Sequence, residues 1–228
     1  RFLVRVQAGE PNLGIVMKRV LSTSVSVGVA TGLYGISFGA LASVAGLDLL
    51  SIMLLSLLMF SGGSQFAFIG VIAAGGAPIS AITSAWLLGV RNGFYAMRLN
   101  SVLAPRGFLK VVSAQLSIDE SNGVSAAQDD LKSQRVGFWA TGIAVFVFWN
   151  LATLLGAIAG DFLGSAETWG LDAAAAAAFL GLVWPKLKDN KVLALAASVV
   201  AVVGSLFLPA GVPVLLTVLL ALVPGRSK

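Results

Sequence analysis

The stretch LLSIMLLSLLMFSGGSQFAFIGVIAA, Leu49 to Ala74, is apolar at both ends and interrupted by Ser61-Gly62-Gly63-Ser64-Gln65. Its arms are about 12 and 10 residues long, roughly 15–18 Å each at the rise of an α-helix. A hydrocarbon core about 30 Å thick takes roughly 20 helical residues, so the two arms meet near the midplane. Glycines there free backbone N–H and C=O groups, and Ser64 and Gln65 add side-chain donors and acceptors. Non-helical backbone at that depth survives only against protein or a polar cavity. The break thus predicts a site inside the membrane, with Gly62, Gly63, Ser64 and Gln65 as candidate substrate-binding residues. The plainer reading is a small-residue patch that lets helices pack closely.

The rest of the chain is of the same kind. Its 228 residues are 57% hydrophobic and 11% charged, with a mean hydropathy of +0.94, against about 45–50% apolar and 25% charged in soluble domains. Apolar blocks run from about Val20 to Ala45, Leu49 to Ala74, Pro78 to Ala104, Val136 to Gly160, Ala173 to Pro185, Val192 to Leu208 and Val212 to Val223. They are too long and too uniformly apolar for barrel strands with alternating faces. The fold class is all-α: one polytopic transmembrane domain over 1–228, with a polar N-terminal segment at 1–19 and a polar loop at 105–135. The run of about 27 apolar residues after Lys18-Arg19 exceeds a signal-peptide core.

Charge decides the topology, because Lys and Arg stay with cytoplasmic loops. If Leu49 to Ala74 crosses once, the basic N-terminus and the later basic loops fall on opposite sides. If it forms a broken, re-entrant hairpin, one side holds 13 of the 15 basic residues and the other holds none, only Asp48, Asp161, Glu167 and Asp172. Both termini are then cytoplasmic. A weak internal repeat points the same way: Gly46-Leu47-Asp48 echoes Gly170-Leu171-Asp172, and 12 residues after each Asp come Phe60 and Trp184, each followed by a break. Interrupted segments at matching positions of two halves mark transporter binding sites.

The two remaining cations lie inside a span. Arg91 is 13 residues beyond Pro78 and 14 before Pro105, and a central Arg costs about 2.5–3.5 kcal/mol on insertion scales. It needs a partner or water. Tyr95 and Arg98 share its helical face, with Asn92 beside them. A guanidinium suits a carboxylate, so Arg91, Asn92 and Tyr95 join the candidate substrate-binding residues. Arg98 is better placed to snorkel.

Other chemistry is sparse. With no His and no Cys, disulfides, Cys-ligated zinc and imidazole acid–base catalysis are excluded; no cofactor, metal or catalytic residue is expected. Asp119-Glu120 and Asp129-Asp130 read as a solvated loop, with subunit contact or gating as the alternative, and Asp48, Asp161, Glu167 and Asp172 lie at span ends, so no buried carboxylate proton relay is expected. The charge of +5 lies at block ends without interleaved aromatics, which argues for the lipid bilayer and against nucleic acid. A channel or carrier for another small solute, or an intramembrane enzyme of Ser/Lys type, are the rival functions.

From about Val20 to the last helix the sequence resembles the AzlC family, the large subunit of two-component branched-chain amino acid exporters. The resemblance is carried by Tyr34-Gly35-Ile36-Ser37-Phe38-Gly39, Phe60-Ser61-Gly62-Gly63-Ser64-Gln65-Phe66, Arg91 with Tyr95, Ile118-Asp119-Glu120 and Gly170-Leu171-Asp172. That family usually reads Asn-x-Arg-His-x-x-Tyr around the arginine, where this chain has Gly89 and Asn92 in place of Asn and His. An imidazole that can carry a proton has become an amide that cannot. The resemblance implies export of small hydrophobic amino acids such as Leu, Ile and Val across the bacterial inner membrane, with a small AzlD-type membrane subunit as partner. A zwitterionic substrate would set its carboxylate on Arg91 and its ammonium on carbonyls freed near Gly62-Gly63.

Overall fold

The computed structural model describes residues 13–163, 180, 184, 187–188, 190–209 and 212–220. The elements are α1 (Leu13–Val44), α2 (Leu49–Leu54) running into wider π-type turns (Leu55–Met59), α3 (Gly62–Ala73), α4 (Pro78–Leu103), α5 (Phe108–Gln115), α6 (Asp119–Ala126), α7 (Leu131–Leu163), α8 (Lys191–Ser205) and α9 (Val212–Leu220). No strand occurs among the described residues. Gly14–Val44 and Leu131–Phe162 are long and apolar enough to cross a membrane. The 26 residues of α4 reach about 39 Å at 1.5 Å each, also enough to cross.

Burial is inverted relative to a water-soluble bundle. Leu50, Trp86, Phe108 and Phe162 are exposed, whereas Ser24, Ser56, Gln65, Thr141 and Thr153 are wholly inside. Contiguous apolar surface of this extent is a liability in water and the ordinary state of a protein solvated by lipid. The chain is an all-α membrane protein.

Helices α1 and α7 form the spine, and they run parallel. Thr141 donates to Ser24 at 2.9 Å, Gly28 faces Ala144, Gly32 faces Phe148, Gly39 faces Thr153, and Gly160 faces Ala40. Partner numbers rise together along both helices. Gly28, Gly32, Gly35 and Gly39 share one face of α1, and the missing side chains let the two backbones touch, as small residues do in membranes.

From the far end of α1 the chain turns back. Gly46 takes a φ of +87°, its N–H bonds to Ser43 and that of Leu47 to Ala42, a Schellman close in which an L-residue would be strained. Asp48 then caps α2, accepting from the N–H of Ser51 at 2.9 Å and its hydroxyl at 2.8 Å. These donors hold the Asp48 carboxyl below its ordinary value, so the cap lasts until pH falls through that lowered value.

Ser56 donates to Thr153 of α7 and Phe60 stacks edge-on against Phe146, so α2 and its π-turns descend antiparallel to α7 toward its middle. There the backbone breaks at Phe60-Ser61, and α3 climbs back. Leu47 and Ser51 at the start of the segment line one groove together with Ile72 and Pro78 at its end. Leu49 to Ala74 is therefore a re-entrant hairpin and not a single crossing. Gly75, with a φ of +72°, turns α3 into α4.

A second hairpin approaches from the opposite end. Between Pro105 and Arg135, where a polar loop is expected, α5 runs inward, the chain turns at Leu116-Ser117-Ile118, and α6 returns along α7, with Leu116 against Gly142 and Val124 against Gly137. The hydroxyl of Ser121 holds this tip, accepting from the N–H of Ile118 and donating to the carbonyl of Leu116 at 2.6 Å. The two tips touch: Gln115 Nε2 donates to the carbonyls of Leu57 and Leu58 at 2.8 and 3.2 Å.

Arg135 donates to the carbonyl of Val102 at 2.8 Å, which sets the end of α4 beside the start of α7. Lys18, Arg19, Lys132, Arg135 and Arg106 thus gather at one end of the bundle, while Asp48 and Asp161 lie at the other. The second member of the internal echo, Gly170-Leu171-Asp172 and Pro185-Lys186, lies outside the described residues, as does the Ala173 to Pro185 block apart from Leu180 and Trp184.

Because both ends of the first hairpin open on the acidic side, a membrane-impermeant thiol reagent added outside intact cells should label Asp48→Cys and Ala77→Cys alike. Labelling of only one would show that Leu49 to Ala74 passes through the membrane.

Candidate functional site

The tips of the two hairpins, the middle of α4 and the middles of α1 and α7 surround a cavity. Its floor is the N-terminus of α3. The first backbone N–H groups of a helix have no intrahelical acceptor, and Ser61, at the cap position of α3, supplies none, its hydroxyl pointing instead to Ser64 Oγ at 3.2 Å. A helix start of this kind carries a partial positive charge. Arg91 lies directly over it: a Cβ on Gly63 would come within 2.8 Å of Arg91 Nη2, and one on Gly62 within 2.9 Å of the Trp149 ring. Both glycines are needed for the arginine and the indole to reach the helix start.

Opposite stands the start of α6. Asp119 Oδ2 pairs with Arg91 Nη2 at 2.8 Å, and its other oxygen accepts from the Tyr95 hydroxyl at 2.7 Å. Glu120 follows on the cavity wall. Two carboxylates in the first turn of α6 suit that helix's own dipole. One turn along, Arg98 Nη1 donates to Asn122 Oδ1 at 2.9 Å, so α4 and α6 are zipped along the face that carries Arg91, Tyr95 and Arg98. The solvated-loop reading fails for Asp119 and Glu120, and carboxylates do occur at the depth of Arg91. Asp130 of the second acidic pair caps α7, accepting from the N–H of Ser133 at 2.9 Å.

The remaining walls are Phe60, Phe66, Ile118, Val145 and Trp149, with Thr31 and Tyr34 of α1. Phe38, Phe66 and Trp149 pack ring against ring at 6.0–6.4 Å, within the range of favourable aromatic contact. Trp149 Nε1, Arg91 Nε and Asn92 Oδ1 are buried with no hydrogen-bond partner among the described residues. Such groups are costly unless something fills them. The free space, ≈ 50 Å³, holds a few waters at roughly 10–15 Å³ each, so a larger solute enters only if the tips part.

Of the expected site residues, Gly62, Gly63, Arg91 and Asn92 line this cavity. Tyr95 acts on it through Asp119. Ser64 faces a neighbouring groove with Trp86 and Val90. Gln65 is wholly buried and holds the hairpin together, donating to the carbonyl of Leu55 at 2.9 Å. Gln65 and Gln115 take the carbonyls of Leu55, Leu57 and Leu58 ahead of the break. The start of α3 at Gly62-Gly63 offers N–H groups, and the side-chain acceptors on the cavity wall include the carboxylates of α6 and Asn92 Oδ1.

A family model described as AzlC protein matches residues 26–163. The chain belongs to the AzlC family. The match runs from the middle of α1 through the end of α7 and takes in every residue of the cavity, from Thr31 to Trp149. It places the chain in a family associated with branched-chain amino acid transport. No curated protein and no solved structure matches the sequence. Among AzlC-family features expected from the motif, Arg91 and Tyr95 share one carboxylate, Asp119, which is why the three belong together despite 24 residues between Tyr95 and Asp119.

Proposed function

We propose that this chain is the large subunit of an exporter that moves branched-chain and related hydrophobic amino acids out of the cytoplasm, completed by a small AzlD-type membrane subunit. The carrying observation is the cavity between the hairpin tips, where Arg91 and the open start of α3 face aromatic and aliphatic walls. A guanidinium beside free backbone N–H groups binds a carboxylate well, and Phe60, Phe66, Val145 and Trp149 provide an apolar seat for an aliphatic side chain. Two re-entrant tips meeting from opposite ends also supply what alternating access requires, broken segments that can part on one side at a time. On this reading the basic end of the bundle and both termini lie in the cytoplasm of a bacterial inner membrane.

The test is efflux of labelled leucine from vesicles carrying the chain, the small subunit, both or neither. Saturable efflux with both and little with either alone is expected. No efflux from the pair would overturn the reading, and efflux that rises linearly with concentration for solutes of any charge would make the pair a channel.

A further inference from the structure

In the cavity one cation faces two carboxylates. Arg91 is matched by Asp119, and both oxygens of Asp119 are engaged, one by Arg91 Nη2 at 2.8 Å and the other by the Tyr95 hydroxyl at 2.7 Å. Glu120 lies on the same wall and forms no ion pair or side-chain hydrogen bond with another residue among those described. With all three ionised the site carries a charge of −1 inside a ring of Phe60, Phe66, Val145 and Trp149. An uncompensated charge among apolar walls is unfavourable, so the site favours a ligand that brings a cation to Glu120.

The opposite wall asks for the reverse. Trp149, 4% exposed, lines the cavity with its Nε1 donor unpartnered, and Arg91 Nε is a second buried donor without an acceptor. The start of α3 adds its uncapped N–H groups. Unpartnered donors on Trp149 and Arg91, with acceptors on Glu120 and at Asn92 Oδ1, suit a ligand with an anion and a cation close together. A bare metal ion does not fit, since it wants several oxygen ligands and no group of three His, Cys, Asp or Glu is present among the described residues.

We propose that Glu120 receives the ammonium group of the substrate, so that the site takes α-amino acids and rejects carboxylates of the same shape that lack a cationic nitrogen. This rests on the transport reading and adds to it the residue that recognises the substrate's ammonium. Asp119 keeps Arg91 oriented, and Glu120 supplies the selectivity.

The experiment is displacement of labelled leucine from the purified assembly of this chain with its small subunit. Leucine is compared with 4-methyl-2-oxopentanoate, which has the same side chain and a carboxylate but no nitrogen, and with N-acetylleucine, whose nitrogen is neutral. On the unmodified assembly both analogues should bind at least about tenfold more weakly, the expected size of one charge-assisted contact. Glu120→Gln should weaken leucine alone and bring the three ligands within about threefold of one another. An oxo acid that competes within threefold of leucine on the unmodified assembly overturns the proposal whatever the variant does, as does a Glu120→Gln assembly that keeps full selectivity. If leucine itself fails to bind and no efflux is seen, the transport reading falls and this assignment falls with it.

Discussion

Arg91→Gln should lower leucine export by at least about 100-fold at matched protein levels, the upper range for loss of hydrogen bonds to a charged group. The substitution does two things at once. It removes the one cation on the cavity wall among the described residues, and it leaves Asp119 at depth with the Tyr95 hydroxyl as its remaining side-chain donor among them. Arg91→Lys separates charge from shape, because an ammonium is a point charge without the planar fork of a guanidinium. Retention of partial export by Arg91→Lys would show that the charge anchors the substrate; near-complete loss would show that the fork, shared between Asp119 and the substrate carboxylate, is required. Arg98→Gln should be much milder, since its partner Asn122 is neutral and the pair sits outside the cavity. The control for folding is the double variant Arg91→Gln with Asp119→Asn, which removes both charges of the Arg91–Asp119 pair together and should restore assembly with the small subunit without restoring export. Normal export through Arg91→Gln would reduce Arg91 to a structural cation.

The two hairpins differ in how openly the sequence declares them, and the reason is physical. The first consists of apolar arms around a Gly-Gly break, and the distribution of Lys and Arg only makes sense if it returns to its own side. Arg91 declares itself because a mid-span cation is costly. The second hairpin is hidden because its arms are short and its polar residues turn inward. Ser113, Ser117, Ser121 and Ser125 are all buried, spaced by four, while Phe108, Leu109 and Val111 face outward. Read with the expectation of a water-soluble surface, serines and carboxylates mean a solvated loop. Read with lipid as the solvent, the same spacing marks a helical pair with its polar face toward protein, and that four-residue serine period is the signal by which Asp119 and Glu120 could have been placed at depth. The close packing of α1 on α7 is likewise written in Gly28, Gly32, Gly35 and Gly39, yet which helix they face depends on parallel pairing of segments about 120 residues apart, which periodicity alone does not reveal.

That pairing bears the largest structural load in the molecule, and Gly156→Leu should abolish it. A Cβ at Gly156 would overlap the carbonyl oxygen of Ile36, and one at Gly39 that of Thr153. The obstructing atoms are backbone, so no side-chain rotation relieves either clash; α1 and α7 must move apart. Parting them also separates Phe38 from Trp149 and carries Tyr34 and Thr31 away from the cavity, so the site opens along with the spine. Even Gly156→Ala should destabilise by about 1–3 kcal/mol, the usual cost of overpacking a close interface, and Gly156→Leu should leave little folded protein after detergent extraction. Gly70→Ala is the matching control. A Cβ there meets nothing within 4 Å, and replacing a glycine inside a helix by alanine gains roughly 0.5–1 kcal/mol, so its melting temperature should hold or rise slightly. Thermal melts of the purified variants, followed by light scattering or tryptophan fluorescence, distinguish the two positions. Equal melting temperatures for Gly156→Ala and the unmodified chain would mean that α1 and α7 do not touch backbone to backbone, and the parallel spine on which both hairpins hang would have to be redrawn.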